Sequence, residues 1–394
     1  MFKKRYSLPT LLVCLLLAVL FTFQVTFVTT KQYYKEKINQ IHLQTNKDAE
    51  KMALVADLLH AYCIYDVTDP LKTDAALSAY LAYCGDRWAY YYSAEAFAAQ
   101  NQSDAGNHSG IGITLSDHEK GLLVTTVALG SPAEAGGLIA GDVLISVNEN
   151  SLTSLTFNEK ADLLLGKTGD VFEIEFLRGE ETLAVSLVRS AYESPSVIGR
   201  LLSDQVGLVR IETFDNNTAA LFKQVTADLV KQGANAFLYD LRDCPGGQLT
   251  AIVEVLDYLL PEGLLVTLEH YDGTKEEFHA KEGSFDYPAV ILTNGTTASA
   301  AELFAACMRD YEAAILLGEN TYGKGVAQST FPLPDGSAVR ITTAKYYSPK
   351  TPWYDGVGLS PDIEVKTPEN LTDFAHSSLE SDPQMQKAVE VLGK

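Results

Sequence analysis

The run Asn235-Ala236-Phe237-Leu238-Tyr239-Asp240, continuing into Leu241-Arg242-Asp243-Cys244-Pro245-Gly246-Gly247, decides the fold. Its first six residues are almost uniformly apolar, as expected of a strand covered on both faces; a half-exposed strand would alternate. The glycine pair then closes a tight turn, and Thr250 to Leu260 reads as a helix. The same order recurs on both sides. Upstream, Val206 to Ile211 is a strand, and Thr218 to Gly233 is amphipathic with Leu221, Val225, Leu229 and Val230 on one face. Downstream, Val290 to Leu292 is a strand, Ala298 to Asp310 a helix and Ala314 to Leu317 the next strand. Alternating strands and helices predict an α/β core with a mixed sheet, whose functional groups sit where strands end and helices begin.

Ahead of this core the pattern changes. Leu122–Val127, Asp142–Val147, Phe172–Leu177 and Leu183–Val188 read as short alternating strands, with helical pieces at Ser131–Ala135 and Phe157–Leu165. They predict a small β-rich domain. Residues 31 to about 100 read as helical, from the spacing of Leu54, Leu58 and Leu59 and of Leu77, Tyr80 and Leu81. The polar stretch Asn101 to Asn107 reads as a linker. At the amino terminus Lys3, Lys4 and Arg5 precede an apolar run from Leu8 to Val28, just long enough to cross a bilayer. The run lacks an Ala-x-Ala site, which favours an uncleaved anchor over a cleaved signal peptide. The basic flank would leave everything after about residue 30 outside the cytoplasm, so the expected location is the cell membrane, single-pass, with the later domains extracytoplasmic. The expected fold class is multidomain α+β. Its parts are a basic flank and transmembrane anchor (1–30), a helical region (31–105), the β-rich domain (106–192), the α/β core (193–367) and a carboxy-terminal tail (368–394).

With 51 acidic against 30 basic side chains the net charge is −21. That field repels phosphate, so nucleic acid is excluded as a partner. Five cysteines make no disulfide framework. An oxidising exterior would permit a Cys63–Cys84 bridge, and small buried hydrophobes explain the cysteines equally well.

G-x-S-x-G, S-x-x-K and H-E-x-x-H are all absent, and none of the seven His lies beside a Ser or Cys in a promising context. Gly318 to Lys324 has the glycine–lysine spacing of a phosphate loop. Gly325 nevertheless stands where Ser or Thr must ligate Mg²⁺, and Gln328 to Pro334 is extended rather than helical. Three features remain: a lysine in a glycine-flanked turn (Lys324), a serine at a helix start (Ser299) and the glycine pair Gly246-Gly247. At a helix amino terminus the unpaired N–H groups and the dipole favour negative charge, so a serine oxygen there is placed to become an alkoxide. The same residues are also consistent with a serine that only caps its helix and glycines that only turn.

Residues 194 to 366 resemble the carboxy-terminal processing (tail-specific) family of serine peptidases. The resemblance lies in Leu241–Gly247, Thr296-Thr297-Ala298-Ser299-Ala300-Ala301-Glu302, Tyr322-Gly323-Lys324-Gly325-Val326-Ala327-Gln328, Asp335-Gly336-Ser337 and Gly356–Ile363, in family order and spacing. It implies Ser299 as nucleophile, Lys324 as general base and Gln328 as support for that lysine. It also implies an oxyanion hole of backbone N–H groups from Gly246 or Gly247 and from the Ser299–Ala300 neighbourhood. An ordinary lysine is protonated at neutral pH, so Lys324 must be desolvated to act as a base. No metal or cofactor is expected. Cys244 replaces a usual Asn, Thr296 and Thr297 stand for Gly and Ser, and Ala301 for Ser; Cys244 beside the site raises sensitivity to thiol reagents. Asp310 matches a position that contributes in some members, or only caps its helix.

Upstream, Gly110-Ile111-Gly112-Ile113 and Ser131-Pro132-Ala133-Glu134-Ala135-Gly136-Gly137 resemble a PDZ domain. This implies that a terminal carboxylate is held by the glycine loop while the peptide adds as a strand. The expected function is an extracytoplasmic serine endopeptidase cleaving proteins recognised by their free carboxy termini; a second copy of the chain is a further expected partner. A catalytically silent PDZ-containing scaffold or chaperone is the competing expectation.

Overall fold

A computed structural model describes residues 46–64, 71–104, 107–156, 159–160, 163–164, 166–202, 205–281, 285–368, 371, 374–375 and 377–393. The chain divides into two compact units, Met1–Ala75 and Ala76–Lys394. In the first, α1 (Asn46–Tyr62) leaves Leu54, Leu58 and Leu59 substantially exposed. The expected membrane-spanning helix is corrected. No helix among the described residues is long and apolar enough to cross a membrane, and residues 8–28, on which that expectation rested, lie outside them.

The amino-terminal part is also less helical than its spacing suggests. After α2 (Leu71–Ala82), Tyr90–Tyr92 forms a strand, β1. A run of aromatics packs better on a pleated surface than around a helix. Of the expected linker, Asn101 to Asp104 end helix α3 (Ala94–Asp104) and Asn107 opens a strand, while 105 and 106 lie outside the described residues.

The β-rich region follows. A short ladder pairs β2 (Asn107–Gly110) with β9 (Ser190–Glu193). The main sheet runs in the order β3 (Ile113–His118), β4 (Gly121–Val127), β5 (Val143–Val147), β7 (Val171–Arg178), β8 (Glu181–Val188), with β6 (Asn150–Ser151) pairing β5. Strand β7 buries Phe172, Ile174 and Phe176 and exposes the residues between them, the period of two read from the sequence. Ser131 caps the short helix α4 (Pro132–Ala135) by accepting from the Glu134 amide. Of the helix expected at Phe157–Leu165, Glu159 and Lys160 are helical and Leu163 and Leu164 form a turn; the other residues lie outside the described set.

The core sheet has the order β10 (Val197–Leu201), β11 (Val206–Ile211), β12 (Ala236–Asp240), β15 (Ala289–Thr293), β16 (Ile315–Gly318), β19 (Ile363–Glu364). Only the β10–β11 pair is antiparallel, so the sheet is mixed. Val209 and Ile211, Phe237 and Tyr239, and Ile291 point to one face, where they meet α5 (Thr218–Lys231), α6 (Leu249–Leu259) and α7 (Ala300–Asp310). The intervening Val206, Leu208, Leu238, Val290 and Leu292 point to the other, against Met385 and Ala388 of α8 (Pro383–Leu392). Coverage of both faces is why these strands carry no polar alternation. Residues expected as a tail thus form one layer of the core. They are fixed by Arg242, fully buried, which donates to Asp240 (2.8 and 2.7 Å), Asp382 (2.7 Å) and Gln384 (3.0 Å). In α5 Thr218, Ala219, Phe222, Thr226 and the expected Leu229 are buried, and the expected Leu221, Val225 and Val230 pack against the core beside them, partly buried.

A third, antiparallel sheet has the order β1, β18 (Ala338–Tyr347), β13 (Gly263–His270), β14 (Lys275–Ala280), with β17 (Val326–Pro332) also on β18. Through β1 the amino-terminal aromatics join the sheet that starts just after Lys324.

Candidate active site

Ser299 caps α7, as its position predicted, but its backbone is unusual. With φ 58° and ψ −121° it occupies a region that L residues avoid. The surrounding loop holds it there. Thr297 Oγ1 donates to the Leu241 carbonyl (2.8 Å) and the Ala298 amide to the Cys244 carbonyl (3.0 Å). Asn294 and Thr296 donate to Asp243 Oδ1 (2.8 and 2.5 Å). The two threonines that depart from the family pattern therefore tie the serine loop to the glycine turn.

That turn approaches closely. A Cβ on Gly246, where φ is +96°, would lie 2.7 Å from both the Ala298 oxygen and the Ala300 nitrogen and 2.9 Å from Ser299 Cβ. Only glycine fits. Gly247 instead abuts Phe214, whose carbonyl oxygen would be 2.1 Å from an added Cβ. The structure thus brings Gly246 and Ala300 to Ser299 and turns Gly247 toward Phe214. Ala300 opens α7, where its N–H has no partner within the helix.

Lys324 lies in the turn between β16 and β17. Gly323 (φ +86°) lets this turn pass against the Val357–Gly358 backbone, whose nitrogens would be 2.9 and 2.7 Å from an added Cβ. The side chain is half-buried, and burial, followed by the Arg340 guanidinium, pushes the amine down to about 8. Arg87 acts in the same direction, while Glu302 and Asp355 oppose it.

The group that joins nucleophile and base turn is Glu302, three residues after Ser299 and fully buried. Its Oε2 accepts from the Ser299 and Lys324 amides, both at 2.8 Å. Its Oε1 accepts from Thr321 Oγ1 (2.5 Å) and the Gly323 amide (2.7 Å). Two donors on one oxygen place the Ser299 and Lys324 nitrogens within two hydrogen-bond lengths of each other. Burial raises the Glu302 carboxyl above its ordinary range despite these four donors. Tyr346 closes the back of the site: its hydroxyl donates to the Lys324 carbonyl and lies in hydrogen-bonding reach of the Ser299 hydroxyl.

Not every expected contact forms. No hydrogen bond joins the Ser299 hydroxyl and the Lys324 amine. The Gln328 side chain does not reach Lys324; it donates to Thr342 Oγ1 (3.3 Å) and the Val326 carbonyl (3.4 Å). A bulge between Ala327 and Gln328 shifts the register of β17 there, which spacing could not reveal. Cys244 is buried, and burial pushes its thiol up to about 12, which opposes the thiolate that the expected sensitivity to thiol reagents requires. Cys63, Cys84, Cys244 and Cys307 are all free. Asp310 accepts from Ser348, Lys350 and Thr351 and fixes the turn after β18. Among the described residues no cluster of His, Cys, Asp and Glu could hold a metal ion.

Reading the sequence missed Glu302, whose S-x-x-E spacing from Ser299 is a capping-box signal. It also missed Asp86, which accepts from Thr342 N (2.7 Å) and Oγ1 (2.9 Å); nothing local marks a contact across 256 residues. In the β-rich region, Ser109 to Leu115, Thr126, Ala128, Leu164, Arg189 and Tyr192 line a cleft of about 300 Å³. The expected peptide-binding residues Gly110, Ile111, Gly112 and Ile113 are thus all part of its lining. The Ile111 and Gly112 carbonyls accept from Ala133 and Ala128 (2.8 and 2.9 Å), which fixes the glycine loop.

A helix-capping serine and a lysine turn joined by one buried carboxylate, on an α/β core preceded by a PDZ-like sheet, make up one class of fold and site. Comparison with known proteins narrows the class. Residues 205–365 match peptidase family S41 and residues 101–175 the PDZ domain. The carboxyl-terminal-processing protease of Synechocystis sp. is 30% identical over 82% of this chain and 77% of its own length. The carboxy-terminal processing protease of Bacillus subtilis is 29% identical over 77% of this chain and 66% of its own length. The solved photosystem II D1 C-terminal processing protease superposes with a TM-score of 0.58 at 29% identity, covering 87% of this chain and 91% of that one. The chain belongs to peptidase family S41, the carboxyl-terminal-processing serine peptidases.

Proposed function

We propose that the protein is an endopeptidase in which Ser299 attacks the scissile carbonyl and Lys324 takes the serine proton, passing through an acyl-enzyme. The observation that carries the proposal is the shared Glu302 carboxylate, which fixes the backbone of both groups at once. The lowered lysine supports it. With the amine at about 8, roughly one lysine in ten is neutral at pH 7, against fewer than about one in 10³ for an ordinary lysine. The Ala300 amide and the Gly246-Gly247 turn are the donors proposed for the oxyanion. The amine must move to meet the hydroxyl, and that movement is a natural point for a bound substrate tail to license cleavage.

Substrates are proposed to be proteins with free carboxy termini, taken up as an added strand in the cleft at Gly110–Ile113. The proposed site of action is extracytoplasmic; the support is the order of Lys3, Lys4 and Arg5 before an apolar run, the charge pattern of an export segment. Wild type, Ser299→Ala and Lys324→Ala are to be compared on one peptide with a free or an amidated carboxy terminus. Both variants should lose at least about 10³-fold in kcat/KM, and the wild-type rate should rise with pH through about 8. Substantial cleavage by either variant would refute the dyad. Equal cleavage of the two peptide forms would refute tail recognition. The unformed Ser299–Lys324 hydrogen bond favours the competing reading of a silent PDZ scaffold, which an inactive wild type on unfolded substrates would support.

A further inference from the structure

We propose that Trp88 is the partner of the charged form of Lys324, its indole face receiving the ammonium that forms when the lysine takes the serine proton. The inference rests on the reading of Lys324 as base and adds a positioning residue from outside both matched family regions. In that step the Ser299 O–H bond breaks, an N–H bond forms on Nζ, and Oγ bonds to the substrate carbonyl carbon as the C=O π pair moves onto the carbonyl oxygen. A full positive charge therefore appears on Nζ. The proton later passes to the departing amine.

Lys324 Nζ lies 4.4 Å from the centroid of the Trp88 ring, well within the range of a cation–π contact. Among the described residues no hydrogen bond or ion pair engages Nζ. The two carboxylates whose charge reaches it are committed elsewhere. Glu302 holds three backbone amides and the Thr321 hydroxyl. Asp355 accepts from the Gly325 amide (2.9 Å) and pairs with Arg87 (3.6 Å). The remaining charged neighbours, Arg340 and Arg87, repel an ammonium. Glu302 and Asp355 attract the ammonium from a distance, and the ring adds the contact made on Nζ itself; it also carries the Arg87 guanidinium at 4.8 Å.

The indole is held in place. Asp86 Oδ1 accepts from the Trp88 amide (2.9 Å), while both Asp86 oxygens accept from Thr342 on β18. The Trp88 ring leans on Tyr322, two residues before Lys324, with centroids 6.0 Å apart. A turn distant in sequence is thereby pinned to the strand behind the base.

The test is the pH dependence of kcat/KM on a reporter peptide for the full chain, wild type beside Trp88→Leu, Trp88→Phe and Lys324→Ala, with Tm recorded for each. Trp88→Leu keeps an apolar cover but removes the ring face. Its rising limb should move to lower pH by roughly half a unit to one unit, the size of a cation–π contact at a partly desolvated site, and its plateau should fall. Trp88→Phe should move the limb the same way by a smaller step, and it carries the test if the leucine variant fails to fold. A limb left at the wild-type position, or moved to higher pH, overturns the proposal. A lower plateau without a shift marks a purely structural role and overturns it equally. Activity retained in Lys324→Ala would instead remove the base itself, a failure distinct from that of Trp88.

Discussion

Glu302→Gln is the most informative single change, because its cost can be worked from four hydrogen bonds. The carboxylate accepts from Ser299 N and Lys324 N on one oxygen and from Thr321 Oγ1 and Gly323 N on the other. A glutamine amide can keep only one of these oxygens. It should keep the one facing Ser299 and Lys324, because on the other side the Thr321 hydroxyl can turn and accept from the new NH₂. One buried donor, the Gly323 N–H, is then orphaned at about 1–3 kcal/mol. The two surviving amide bonds change from a charged to a neutral acceptor and weaken by about 1 kcal/mol each. Relief of the burial penalty that raises the Glu302 carboxyl offsets part of this. The expected net loss is about 2–5 kcal/mol, less than the whole stability of a typical domain, so the variant should fold. Urea unfolding measures that loss, and kcat on the folded variant should fall by at least about tenfold as the lysine turn shifts. A variant within about 0.5 kcal/mol of wild type and with unchanged kcat would refute the argument that one carboxylate holds the two halves of the site together.

Two further outcomes follow from the geometry. Gly246→Ala places a methyl 2.7 Å from the Ala298 oxygen and the Ala300 nitrogen; kcat should drop by about 10²-fold or more with KM little changed, as expected for a disturbed oxyanion hole, and a normal kcat would sink that assignment. Asp382→Ala leaves the buried Arg242 short of one carboxylate and uncaps α8; urea unfolding should show a loss of about 3–5 kcal/mol, and a loss under about 1 kcal/mol would show that the ion pair does not fix this layer.

How much of this was legible beforehand depended on how locally each signal is encoded. Strands β11, β12 and β15 were readable because burial on both faces leaves a continuous apolar run. Strand β7 was readable because burial on one face leaves alternation. Ser299 and Lys324 stood out as candidates because a helix start and a glycine-flanked turn are short-range features, and the family resemblance supplied their expected roles. The strand at Tyr90–Tyr92 was taken for helix, since its reason for being extended is its partner β18, far along the chain. The contact of Gln328 with Lys324 that the resemblance implies does not form, and spacing along a strand carries no record of the bulge beside it.

The sequence alone therefore determined the layered α/β core and the small β-rich sheet before it, because periodicity and turn chemistry act over a few residues; it marked Ser299 and Lys324 as candidates whose roles the family resemblance implied. Tertiary structure alone decided that Glu302 binds both halves of the site, that Trp88 faces the lysine amine and that α8 completes the core. Apart from the local Ser299–Glu302 bond, those contacts join residues from 19 to more than 200 positions apart. Their energy comes from burial and from the pairing of charges that only the folded chain brings together.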